Sequence, residues 1–154
     1  MQKLSLAIVG VLLLGLSPAM AADAPAAAPA APAAKAKGGH DSKNVTVVKD
    51  FIGAWSDPAK AAEYLSDKAV VRMEEDKPAL TGRQPFMDAW KGYFQTGQGI
   101  SVEIKDTYAK GPVVVTNRID TLTSKDKPDQ PFPVVGVFVV KGGKIVEWTD
   151  YLVK

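Results

Sequence analysis

From Ile100 onward the chain is a succession of β-branched and aromatic runs separated by glycine turns, and this half dictates the kind of fold available to the rest. Ile100 to Lys110, Val113 to Thr123, Pro133 to Val140 and Lys144 to Val153 each read as a strand. Gly111-Pro112 and Lys141-Gly142-Gly143 are short enough to be hairpin turns, which makes the strands they join antiparallel. A polar loop is expected from Ser124 to Gln130.

The preceding segment has helical rather than alternating periodicity. Val45, Val48, Phe51, Ile52 and Trp55 fall on one face of a helix expected over 44–55, with Ser42 or Asn44 as its cap. Asp57-Pro58 opens a second short helix reaching Leu65, because proline suits a first helical position. Ser66-Asp67-Lys68 reads as a turn and Ala69 to Glu74 as a strand. Leu80-Thr81-Gly82-Arg83 breaks the pattern, and Gln84 to Gln95 carries Phe86, Met87, Trp90, Tyr93 and Phe94 on a helical stripe. Helices followed by strands define an α+β fold: a curved antiparallel sheet wrapped by the N-terminal helices into a cone with an internal apolar cavity. Val134, Val137 and Ile145 are read as outward-facing apolar positions and suggest a homodimer.

The first forty residues have a different character. Met1-Gln2-Lys3, an apolar run from Leu4 to Leu16 and the small residues closing at Ala21 have the form of a secretory signal peptide over 1–21. Ala/Pro repeats over 22–40 have almost nothing to bury and read as a disordered linker, leaving 41–154 as one domain. The expected location is therefore periplasmic or secreted, with no membrane contact after cleavage. The chain has no cysteine, so its stability must come from the core alone. Charge is nearly balanced, with a formal net charge of +2, and nothing in its distribution suits nucleic acid. The single histidine, His40, lies in the linker, which rules out a Ser-His-Asp system and leaves no metal ligand set and no cofactor to expect.

Three polar residues stand inside the apolar strands. The strand period of two puts Arg118 and Asp120 on one face with Val114 and Leu122, and groups Asp150 with Val146, Trp148 and Leu152. A carboxylate among large apolar groups is costly unless paired, and a guanidinium on a neighbouring strand can serve two of them. The pattern itself leaves open a solvated face or a purely structural ion-pair network.

These residues also carry a family resemblance. Asn117-Arg118-Ile119-Asp120, then Val135-Gly136-Val137-Phe138, then Glu147-Trp148-Thr149-Asp150-Tyr151, resembles the closing half of the limonene epoxide hydrolases and their SnoaL-like relatives, which share the nuclear-transport-factor-type cone. The resemblance implies hydration of a small apolar epoxide in one step, with Asp150 as general base, Asp120 as protonated general acid and Arg118 bridging them. Trp148, Phe138, Trp90, Phe94 and Glu74 would bind the substrate. The family holds its water with a Tyr and an Asn two residues apart on the strand after the second helix. This sequence has Val71-Arg72-Met73-Glu74-Glu75 there, so either Arg72 and Glu74 or Met73 and Glu75 occupy those places. Two other readings remain: a SnoaL-like cyclase or isomerase using one Asp as proton shuttle, and a non-catalytic cone that binds a small hydrophobic ligand.

Overall fold

The computed structural model describes residues 39–95 and 97–153. The expected signal peptide and all but the end of the Ala/Pro linker lie outside the described residues. In chain order the elements are helix α1 (Gly39–Gly53), helix α2 (Pro58–Ala62), strand β1 (Leu65–Arg72), strand β2 (Leu80–Thr81), helix α3 (Arg83–Gln95), and strands β3 (Gln98–Lys110), β4 (Val113–Ser124), β5 (Lys127–Lys141) and β6 (Lys144–Leu152).

The strands form a single open, curved sheet of six, in the order β2-β1-β6-β5-β4-β3. From β3 to β6 each strand pairs antiparallel with the next, joined by the two glycine turns and a tight connection at 125–126. Gly111, Gly142 and Gly143 all have positive φ, the conformation those turns require and that side-chain-bearing residues resist. The polar stretch after Ser124 is shorter as a loop than its composition suggests, because from Lys127 it extends the β5 ladder. β1 is the exception to antiparallel pairing: it lies beside the last strand, β6, and runs parallel to it. Ser66 to Lys68 stay extended instead of turning, but out of register, between the pairs Leu65–Ile145 and Val70–Glu147. Arg83 fixes this stretch by donating from Nε to the Leu65 carbonyl at 2.9 Å and approaching Asp67 at 3.2 Å.

The first helix starts five residues before its expected beginning, which frees Asn44 from capping. Asn44 Nδ2 donates instead to the Gly111 carbonyl at 2.8 Å, and Asp41 Oδ1 accepts from Gly111 N at 2.9 Å, so α1 is tied to the β3–β4 turn. Asp57 caps α2 by accepting from Ala59 N and Lys60 N, with Pro58 at the first position.

The helices cover one face of the sheet, and the core between is unusually aromatic. Phe51 of α1 is fully buried and sets its ring 5.2 Å from Trp148, 5.8 Å from Trp55, 5.9 Å from Phe86 and 6.2 Å from Phe138. Phe138 and Trp148, neighbours on β5 and β6, stack 5.9 Å apart. Two of the positions read as outward-facing point inward. Val134 is buried, and Ile145 is buried because the β5–β6 register shifts between Val139–Glu147 and Val140–Ile145, leaving Val146 as the extra residue of a bulge. That slip exchanges the parity of Ile145 and Val146, while Val134 lies on the inner face of β5 by plain alternation, so neither Val134 nor Ile145 offers a surface to a partner.

Phe51→Ala should destabilise the domain by about 3–5 kcal/mol, because no neighbouring ring can close the void. Urea unfolding followed by tryptophan fluorescence checks this; a loss below about 1 kcal/mol would mean the cluster repacks.

Candidate functional site

The site follows from the inward parity of three adjacent strands. On β4 the buried positions are Val114, Thr116, Arg118 and Asp120; on β5 they are Val134, Gly136, Phe138 and Val140; on β6 they include Trp148 and Asp150. Cross-strand pairing sets Thr116 opposite Gly136 and Gly136 opposite Asp150. Thr116, Gly136 and Asp150 therefore form one row across the sheet, with Arg118 one step along β4.

Arg118 has no exposure to water, so its charge must be met by protein groups. Its Nε donates to both Asp120 oxygens, at 2.8 and 3.1 Å, Nη1 donates to Thr116 Oγ1 at 3.1 Å, and Nη2 donates to Asp150 Oδ2. Asp150 Oδ1 accepts from Trp148 Nε1 at 2.6 Å. The guanidinium also lies over the Trp55 ring, 5.2 Å from its centre, a cation–π contact. To reach β6 from β4 the side chain must cross β5, and it does so over Gly136. A Cβ there would sit 2.1 Å from Arg118 Nη1.

Both carboxylates are nearly buried, Asp120 at 3 % and Asp150 at 5 % exposure. Burial raises the pKa of each, and Arg118 opposes that shift without cancelling it; for Asp150 the result is a value of about 6, with the Trp148 hydrogen bond lowering it and the neighbouring Asp120 charge raising it. The two acids and the bridging cation form one coupled unit.

Asp120 and Asp150 both open onto a cavity of about 320 Å³, within the range of small-molecule sites. Of the residues expected at a substrate, Trp90, Phe94 and Glu74 line it. Phe138 and Trp148 do not; they pack behind the wall, where Trp148 orients Asp150. On the strand expected to hold a water, Arg72 is exposed, whereas Met73 and Glu74 line the cavity. Glu75 accepts from the backbone of Leu152 instead. Sequence reasoning missed Trp55, Ile100, Leu122, Phe132 and Leu152 as wall residues. Leu122 and Leu152 carried a signal, since each lies two residues from a site aspartate on its own strand. Thr116, two residues before Arg118, carried the same signal. Among the described residues no cluster of three acidic or histidine side chains forms a metal site, and no helix is long and apolar enough to cross a membrane.

Residues 48–148, which include Arg118, Asp120 and Trp148 and end two residues before Asp150, match the SnoaL-like domain. The chain belongs to the SnoaL-like domain family. This SnoaL-like domain superposes on an LEH-like epoxide hydrolase of M. tuberculosis with a TM-score of 0.66 at 26% identity, covering 73% of this chain and 84% of that one. A protein from Jannaschia sp. CCS1 described as a SnoaL-like polyketide cyclase gives a TM-score of 0.66 at 14% identity, over 77% and 91% of the two chains. A protein from Catenulispora acidiphila with a ketosteroid isomerase-like fold, in complex with trimethylamine, gives 0.62 at 17%, over 68% and 83%. The last two similarities concern the fold alone. The comparison with curated proteins gave no match. Proteins described with different activities thus share this fold, so the fold assigns none of them to this chain and the side chains within the cavity must decide.

Two predictions follow from the trio's geometry. Gly136→Ala should cost at least about 2 kcal/mol in urea unfolding, because the added methyl displaces a guanidinium that has no alternative partner; an unchanged midpoint would refute the crossing over β5. The second concerns pH. Asp150 ionises near its ordinary value of about 4 in the unfolded chain and near 6 in the folded one. Folding is therefore favoured by this group below pH 4, and that contribution is lost as pH rises to about 6. The stability of the wild type relative to Asp150→Asn should fall across that window, and a flat difference would contradict the raised value.

Proposed function

We propose that this SnoaL-like domain hydrates a small apolar epoxide. The observation that supports the reading above any other is the Arg118 bridge: one fully buried cation joins two aspartates that both face the same apolar cavity. Epoxide opening needs a proton acceptor for water and a proton donor for the ring oxygen, and two coupled carboxyls with a raised affinity for protons supply both.

In this mechanism the Asp150 carboxylate accepts a proton from a water in the cavity. The water oxygen bonds to one epoxide carbon, the opposing carbon–oxygen bond breaks, and the released oxygen takes the proton of Asp120 to give a vicinal diol. Asp150 is then protonated and Asp120 ionised, and exchange with solvent resets the pair. Arg118 keeps both acids in place and attracts the charge that moves between them. Trp148 holds Asp150 through its Nε1–H, while Trp90, Phe94 and Glu74 form the wall against which the substrate rests. The similarity to the LEH-like epoxide hydrolase supports the same reading. The leader-like start of the sequence supports action in the periplasm or outside the cell.

A second reading draws on one observation: Met73 lines the cavity on the segment 71–75, where the resemblance to the hydrolases implies residues that hold water, and a thioether is a poor partner for it. A cyclase or isomerase that passes a proton through one aspartate needs no positioned water, and a cone that only binds a small hydrophobic molecule needs no proton transfer.

Diol formation from a panel of small cyclic epoxides separates these readings. The wild type should form diol with a rate that rises through pH 6, and Asp150→Asn should lose about 10²- to 10⁴-fold in kcat. Equal diol formation by both proteins, or ligand binding with no diol from either, would sink the hydration reading.

A further inference from the structure

Almost all of the cavity wall comes from paired strands, from α3 or from the ring cluster around Trp55. Met73 and Glu74 differ. They lie at the start of the connection 73–79 between β1 and β2, which has no ladder of its own.

The β1–β6 pairing ends at Arg72 opposite Thr149, yet β6 continues through Asp150 to Leu152. Its flank on that side is therefore vacated at the site itself. Successive N–H groups of a strand point to opposite edges. Val153 N donates to Pro133 O on β5 at 3.1 Å, so the Leu152 N–H points to the vacated flank. A side chain fills the gap: Glu75 Oε2 accepts from Leu152 N at 3.2 Å, half-buried. One turn bond, Lys77 N to Glu74 O at 3.1 Å, folds the connection behind it. The bond between Glu75 and Leu152 thus spans from the one wall segment outside helix, strand and ring cluster to a strand position two residues from Asp150.

We infer that Glu75 is a positioning residue, a latch that closes the 73–79 segment over the cavity and sets where Met73 and Glu74 stand relative to Asp150; opening the latch is how a ligand gets in and out. The inference rests on the cavity being the ligand site, not on which reaction occurs there. Glutamine can replace the latch, since its carbonyl oxygen also accepts a hydrogen bond, whereas alanine cannot.

The test compares the full chain with Glu75→Ala and Glu75→Gln in two measurements. Amide hydrogen exchange reads Leu152, and stopped-flow tryptophan fluorescence reads release of cyclohexanone, since Trp55 and Trp90 line the cavity. Loss of one charge-assisted bond should speed both Leu152 exchange and cyclohexanone release about tenfold in Glu75→Ala. Glu75→Gln, whose neutral carbonyl makes a weaker bond, should recover a large part of both, and amides of β3, β4 and β5 should keep their protection in each variant. Unchanged exchange at Leu152 in Glu75→Ala, faster exchange spread evenly over the sheet, or release that does not change, would each overturn the latch. Absence of diol from the wild type, with exchange and release behaving as expected, would remove the hydration reading and leave the latch standing.

Discussion

A guanidinium with no access to water is among the more demanding groups a small domain can bury, and the way Arg118 is neutralised organises the structure around it. Removing the cation from solvent costs several kcal/mol, and that cost is offset only if its N–H groups meet acceptors of good geometry. Thr116, Asp120 and Asp150 supply them from two strands. This requires β4 and β6 to be separated by one strand, a residue without a side chain at the crossing, and matched registers on both sides. Gly136 and the β4–β5–β6 pairing satisfy these conditions together. The aromatic cluster behind the trio completes the enclosure, with Trp55 beneath the cation and Trp148 holding Asp150.

The same enclosure makes the site chemically useful. Water would let both aspartates ionise at ordinary pH. In the apolar cavity each keeps its proton to higher pH, and one cation shared between two acids leaves a proton-binding site to be divided between them. A structural ion-pair network and a proton-transfer site begin from the same three residues; what separates them is that here the acids open onto a space large enough for a small molecule.

Much of this was written in local patterns. Arg118, Asp120 and Asp150 stand out as charges inside apolar strands, a pattern that by itself also suits a solvated face, and strand parity alone puts Arg118 and Asp120 side by side. The helices and the hairpins were legible from periodicity and from glycines that must take positive φ. What was not legible depends on partners far away in the chain. No local signal tells β1 to lie parallel to β6, or Ser66 to Lys68 to stay extended beside it. The bulge at Val146 reverses the facing of Ile145 because of how β5 and β6 fit, a tertiary matter. Gly136 did carry a cue, since glycine within a strand marks a close approach of other atoms, but the atom that approaches belongs to a side chain two strand positions away from its partner Thr116. Phe138 and Trp148 show the limit of parity: it places a residue on the inner face without saying whether it meets the cavity or the helices.

The central claim is that Asp120 and Asp150 form a coupled, proton-retaining pair, and carbon-13 NMR titration of their labelled carboxyl groups tests it most directly. Asp150 should titrate near pH 6, raised by burial and in part by the Asp120 charge, and Asp120 above its ordinary value because of burial. Two independent titrations at or below about pH 4 would show both acids ionised throughout the working range and contradict it.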